Sequence, residues 1–171
     1  EPANGFAEAD VLRLSAALER GSEHPLAAAI VEGAQERGLD IPGSSDFESR
    51  TGTGVTGTVE GRGVAIGNAA LLRALGADAG PLQARADAYR ADGQGVMFVT
   101  VDGTPAGLVV VADPIKESAV DAVAQLRREG IRVVMLTGDN RTTAEAVAKR
   151  LGITEVEAEV LPEDKQRIVE R

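Results

Sequence analysis

The sequence predicts two joined folds: an α+β unit whose antiparallel sheet is flanked by helices, then a truncated α/β unit of the parallel, Rossmann type. Three observations carry that prediction. Short alternating strands with glycine turns dominate up to residue 111, and after Asp113-Pro114 helices and strands alternate one by one. The apolar run Ile131-Arg-Val-Val-Met-Leu136 then closes on Thr137-Gly-Asp-Asn140 ahead of a helix. That junction is the carboxyl end of a strand, where α/β sheets bind ligands, and its hydroxyl, bare amide and carboxylate suit phosphate and metal.

Each element has its own warrant. Residues 7–20 place Val11, Leu14 and Leu18 at helical spacing before Gly21, and residues 24–37 repeat the pattern with Leu26, Ile30 and Val31 before Gly38. Pro25 takes the first helical position, so His24 is a capping residue with its ring outside the helix. Residues 46–50, 55–60 and 62–66 read as short strands, the last two forming a hairpin around Gly61. A polar loop at 76–80 leads to a helix over 81–91, and strands 95–101 and 105–111 meet at Asp102-Gly103. Beyond it come a helix at 116–129, a strand at 132–136, a helix at 142–151, a short strand near 156–160 and a helix at 162–170. Parallel sheets usually have about four to six strands, so a unit with about two is incomplete. The division falls between residues 1–110 and 111–171.

Composition narrows the function classes. A chain of 171 residues that is 43% apolar can bury real cores. Its 27 acidic and 18 basic residues give a net charge of -9, which argues against a nucleic-acid partner. Without cysteine there is no disulfide framework or thiolate metal site. No apolar run approaches the roughly 20 residues that cross a bilayer and no signal-peptide pattern opens the chain, which reads as soluble and cytosolic. Residues 1–108 hold 8 Arg and no Lys against 15 acidic residues, a net of -7, while Lys116, Lys149 and Lys165 all lie further on. A nucleotide would find room for its base on the first unit and charge for its phosphates on the second.

Two constellations carry chemistry. The first is Glu19, Ser22-Glu-His-Pro25 and the glycines at 52, 54, 57, 61, 63 and 67. His24, the only histidine, can stack on a base or simply cap a helix. Gly52-Thr-Gly54-Val-Thr-Gly57 spells G-x-G-x-x-G but runs into a strand, so it fails as a dinucleotide-binding turn. It is either a hairpin-and-bulge series or a backbone stripped so that a flat ligand can approach. The second constellation is Asp113-Pro-Ile-Lys116, Thr137-Gly-Asp-Asn140 and Lys165, each of which alone could be a helix start, a turn or a solvated face.

Taken in order, these segments resemble the cytoplasmic ATP-handling part of P-type ATPases, most closely the heavy-metal-transporting branch, in which copper is the commonest cargo. The match spans nearly the whole chain: Glu19, Ser22 to Leu26, Gly52 and Gly54, Gly63, and Gly67-Asn68 fit the nucleotide-binding domain, and Asp113 to Lys116, Thr137 to Asn140 and Lys165 fit the phosphorylation domain. Thr-Gly-Asp is shared with the wider haloacid-dehalogenase-like superfamily, which sets the expected fold of the second unit. The resemblance implies that Glu19 accepts from the adenine amino group, His24 packs on the purine, and Gly52, Gly54, Gly63 and Gly67 let the backbone close around base and ribose near Asn68. It implies that Thr137 and Gly138 hydrogen-bond the transferring phosphoryl group, that Lys165 neutralises it, and that Asp113, Lys116 and Asp139 align ribose and phosphates.

The departures are specific. The family nucleophile lies in an Asp-Lys-Thr-Gly-Thr segment, expected just before Glu1, and its magnesium segment Gly-Asp-Gly-x-Asn-Asp is expected after Arg171; this chain has neither. The resemblance therefore implies a piece that binds ATP or ADP, brought as MgATP in the parent, without a complete magnesium site and without turnover. Its partners would be the rest of the phosphorylation domain, the actuator domain and the membrane domain of a bacterial plasma-membrane pump exporting copper or another heavy metal. The alternatives are a non-catalytic nucleotide-binding or interaction module and a haloacid-dehalogenase-like phosphatase with a cap domain, the second of which needs no adenine site.

Overall fold

The computed structural model describes residues 1–3, 5–22, 24–112, 115–161, 164, 165 and 167. Its chain divides into two compact units, Glu1–Ala86 with Val96–Val111, and Asp87–Gly95 with Ala112–Arg171.

Period-two patterning builds the sheet of the first unit. Strands β1 (Ser44–Arg50), β2 (Gly54–Val59), β3 (Arg62–Gly67), β4 (Gly95–Val101) and β5 (Thr104–Val111) hydrogen-bond in that order. The β2–β3 hairpin pairs Val59 with Arg62 and Gly54 with Gly67, and Glu60 and Gly61 turn it with φ near +51° and +74°. On one face Val55, Val59, Val64, Ile66, Val99 and Val101 form a core with Leu14, Leu18, Ile30 and Ala34 of α1 (Glu8–Glu19) and α2 (Pro25–Glu36). The other face meets Leu71 of α3 (Ala69–Ala74), close to Gly54 and Gly67. A further helix, α4 (Pro81–Ala91), precedes β4. Burying a leucine or phenylalanine here contributes about 1.5–3 kcal/mol, so these two layers hold the unit.

Along the sheet edge, Ala3 N donates to Ala106 O (2.8 Å), Leu108 N to Glu1 O (2.8 Å) and Glu1 N to Leu108 O (2.9 Å). Residues 1–3 thus run against β5.

The second unit is smaller. Helix α5 (Glu117–Arg128) leads to β6 (Val134–Leu136), α6 (Arg141–Leu151) and β7 (Glu155–Glu157), and β6 and β7 pair in parallel, as predicted for an α/β fold. Ala144 and Ala148 of α6 are buried, α5 buries nothing fully, and Ile131 stays 48% exposed.

Two readings change. Helix α3 was not foreseen, although Asn68 caps it through Ala70 N (2.9 Å) and Leu71 N (3.2 Å). The strand expected at 156–160 is Glu155–Glu157, because Glu159 adopts φ near +60° and cannot extend it. The helix at 162–170 lies largely outside the described residues, as do Asp113 and Glu23.

Candidate nucleotide site

The turn after α1 sets the first half of the site. Gly21 N donates to Leu18 O (3.2 Å) and Ser22 N to Glu19 O (2.9 Å), so α1 stops and the chain doubles back into α2. His24 N donates to Ser22 Oγ (3.2 Å), and His24 Nδ1 accepts from Leu26 N (3.2 Å), making His24 the N-cap of α2. An accepting Nδ1 carries no proton, so the neutral ring is protonated on Nε2. The exposed ring therefore offers a face and one N–H donor to a ligand.

Glu19, the last residue of α1, is only 5% exposed, and its Oε2 has no hydrogen-bond partner among the described residues. Burial raises its carboxyl above the ordinary value of 4.5, opposed by a hydrogen bond from Ser22 and by the charge of His24. A buried acceptor left unpaired costs about 1–3 kcal/mol, and such a group calls for an explanation. A ligand donor supplies one.

The glycine loop forms the second half. Gly52 and Gly54 sit at φ near +73° and +146°. Thr53 N and Oγ1 both donate to Arg50 O (2.9 and 3.1 Å), Asn68 N donates to Thr53 O (2.9 Å), and Asn68 Nδ2 donates to Gly52 O (2.8 Å). Asn68 therefore binds the loop to the head of α3.

The space beside two of these glycines is already filled. A Cβ on Gly54 would stand 2.1 Å from Ile66 O and 2.6 Å from Gly67 Cα, and one on Gly67 would stand 2.1 Å from Thr53 O. Their bareness serves the close approach of β2 and β3. Gly63 stands apart from this crossing. It lies at the turn end of the hairpin, paired with Thr58 and donating to Asp102 Oδ1 (2.8 Å), four residues or about 13 Å along the strand from Gly67.

In the second unit the Thr137–Asn140 turn is tied to the segment after β7. Thr137 N donates to Glu157 O (2.9 Å), Val160 N to Thr137 O (3.1 Å) and Glu159 N to Asp139 O (3.0 Å). Thr137 Oγ1 donates to Asp139 Oδ2 (2.7 Å), and Asn140 Oδ1 caps α6 through Thr142 N (2.9 Å). The Gly138 amide has no partner among the described residues and is free for an anion, and the Thr137 hydroxyl can rotate to one. Lys116, the N-cap position of α5, and Lys165 are exposed. Among the described residues no three His, Cys, Asp or Glu side chains converge on a metal position. A cleft of about 690 Å³ lies elsewhere in this unit, between Arg127, Arg141, Lys149 and Ile153.

The segment 157–160 that clasps the Thr137–Asn140 turn carries no sequence signal, because its contacts are made by backbone atoms. Asn68 was expected near the ribose, whereas its amide is spent on the loop and the helix cap. An Asn before Ala-Ala-Leu-Leu is a capping signal and could have revealed both.

This fold and this strand-end turn define a class. The sequence pattern of haloacid dehalogenase-like hydrolases matches residues 3–171, and the chain belongs to that family. Among curated proteins it is 53% identical over 164 residues to a copper-exporting P-type ATPase of Legionella pneumophila, covering 96% of this chain and 22% of that protein. Among solved structures it matches a zinc-transporting PIB-type ATPase in the E2.Pi state, with TM-score 0.66 and 35% identity over 98% of this chain and 27% of the other. It also matches the catalytic domain of the CPx-ATPase CopB-B, described for its conformational changes upon nucleotide binding, with TM-score 0.65 and 26% identity over 99% and 58%. The chain thus spans about a fifth of the curated relative's length and corresponds to the cytoplasmic domains of heavy-metal P-type ATPases. Among the described residues no helix is long and apolar enough to cross a membrane.

Proposed function

We propose that this chain is the ATP-binding region of a heavy-metal export pump, with copper as the cargo. Residues 1–110 serve as the nucleotide-binding domain and residues 111–171 as part of the phosphorylation domain. The observation that carries this reading is the unpaired, buried Glu19 Oε2 two turns of hydrogen bonding away from the exposed His24 ring. Adenine supplies the missing donor through its amino group, and the purine face packs on the imidazole. Guanine presents a carbonyl where adenine has the amino group and leaves the carboxylate unsatisfied.

The second unit handles the phosphates. Thr137 Oγ1 and the Gly138 amide donate to the γ-phosphoryl oxygens, while Lys165, with Lys116 and Asp139 aligning the nucleotide, offsets their charge. Magnesium arrives with the nucleotide. In the parent pump the phosphoryl group passes to an Asp of a segment that this sequence does not contain, so the chain alone binds ATP without cleaving it.

Titration with ATP, ADP and GTP, followed by backbone amide shifts, tests the reading. A dissociation constant of about 0.1–1 mM, or about 4–5.5 kcal/mol, is expected from a half-site that offers stacking and shape without a cationic clamp. His24→Gln should weaken ATP binding about severalfold with the amide spectrum otherwise unchanged. Equal affinity for ATP and GTP at millimolar concentration would overturn the assignment.

A further inference from the structure

Phe47 is an exposed ring in a chain with 3 Phe, 1 Tyr and no Trp, and it lies on the edge strand β1, not in the core. Strand register explains how it comes to face α1. Ser45 pairs with Thr58 and Glu48 with Thr56, so Asp46 and Phe47 together oppose Gly57, and Asp46 takes φ near +52°. This is a β-bulge, a device that re-aims a side chain. Gly57 lets α1 settle onto the bulge, for a Cβ there would meet Leu18 Cδ1 at 2.7 Å and Ser45 O at 3.0 Å.

The re-aimed ring lands on Gly21. A Cβ at Gly21 would lie 3.1, 3.2 and 3.4 Å from Phe47 Cδ2, Cγ and Cε2. Gly21 is not among the positive-φ glycines, so the turn itself does not demand glycine. The ring does. Gly21 sits between Glu19 and Ser22, and Ser22 is bonded to Glu19 on one side and His24 on the other, so whatever holds Gly21 holds both groups of the adenine site.

We propose that Phe47 is a positioning residue for nucleobase recognition: its ring, seated on the bare α-carbon of Gly21, keeps Glu19 and His24 at the spacing adenine needs. The inference rests on the ATP-binding reading above and adds a determinant from a strand remote in sequence. It makes adenine selectivity depend on a side chain that need not touch the nucleotide.

The test uses the 171-residue chain with Phe47→Ala, Phe47→Tyr, Gly21→Ala and the Phe47→Ala/Gly21→Ala pair. ATP and GTP are titrated, and the ring nitrogen shifts of His24 are recorded without nucleotide. Phe47→Ala should lower ATP affinity about fivefold, narrow the ATP-to-GTP ratio and move the His24 ring signals, with amides away from residues 19–24 and β1 unchanged. Phe47→Tyr should restore all three, because the ring stays on Gly21. Gly21→Ala should weaken ATP similarly by pushing the ring away, and the double variant should be no worse than either single one, the mark of two residues acting through one contact. If Phe47→Ala loses its dispersed spectrum, Phe47→Leu carries the same test, since it fills the edge without a flat ring. ATP affinity within twofold of wild type and unmoved His24 signals would overturn the inference while leaving the site reading intact, provided wild type binds and His24→Gln weakens it. No adenine selectivity in wild type would overturn both.

Discussion

Burial decides what Glu19 does. Its carboxyl is raised above 4.5 mainly by desolvation, so the native state holds a proton that the unfolded chain has already released. Stability from this group is full below the unfolded value and is lost as pH rises through the folded one. Glu19→Gln should therefore flatten the fall in unfolding free energy above pH 4.5 and, at neutral pH, stabilise the chain by about 1 kcal/mol. It should also weaken ATP binding, because an amide oxygen accepts less strongly than a carboxylate. Urea titrations at several pH values, beside nucleotide titrations, check both; a variant less stable than wild type at neutral pH would contradict the reading of Glu19 as a strained, ligand-seeking group. Much of this was legible in the sequence, where a Glu four residues before Glu-His-Pro stood out. The burial and the unpaired oxygen were not, since they depend on how α1 ends against the sheet. Phe47 carried no sequence signal at all, because its neighbour Gly21 is reached only through a bulge.

Among elements, the β2–β3 pair and α3 form one assembly. Gly54 and Gly67 face each other beneath Leu71, and Asn68 fastens the Gly52 carbonyl to the head of α3. Gly67→Ala should cost at least about 2 kcal/mol, as overpacking against backbone has no soft neighbour to yield. Asn68→Ala should cost about 1–2 kcal/mol through the lost cap and loop bond. Chemical unfolding measures both, and an unchanged midpoint for Gly67→Ala would mean the strands can part at that crossing. The strands and turns of this unit were readable from alternation and glycine placement. Helix α3 was missed because its six residues are too few to show helical periodicity, and the end of β7 was misplaced because a left-handed Glu159 is invisible to propensity.

At the scale of the whole chain the two units differ in how much they bury. The first has a shared core on one sheet face and Leu71, Leu72 and Phe98 fully buried besides, whereas the second buries chiefly Ala144, Ala148, Ala158 and Thr143. Amide exchange should therefore be slowest in β2 to β4 and α1, and faster by orders of magnitude in α5 and β6. Uniform protection across both units would show that the second is steadied by contacts other than its own core. Incubated with MgATP, the chain should release no phosphate above background and carry no acid-stable, base-labile phosphoryl group.

The short ribbon in which residues 1–3 run against Ala106 to Leu108 brings the start of the first unit beside its last strand. Ends that meet can be sewn together and the chain reopened elsewhere. A circular permutant that links Val111 back to Glu1 through a few flexible residues, cut in the exposed loop near Asp78, would then keep the same sheet order, and with it the turn after α1, under a new linear sequence.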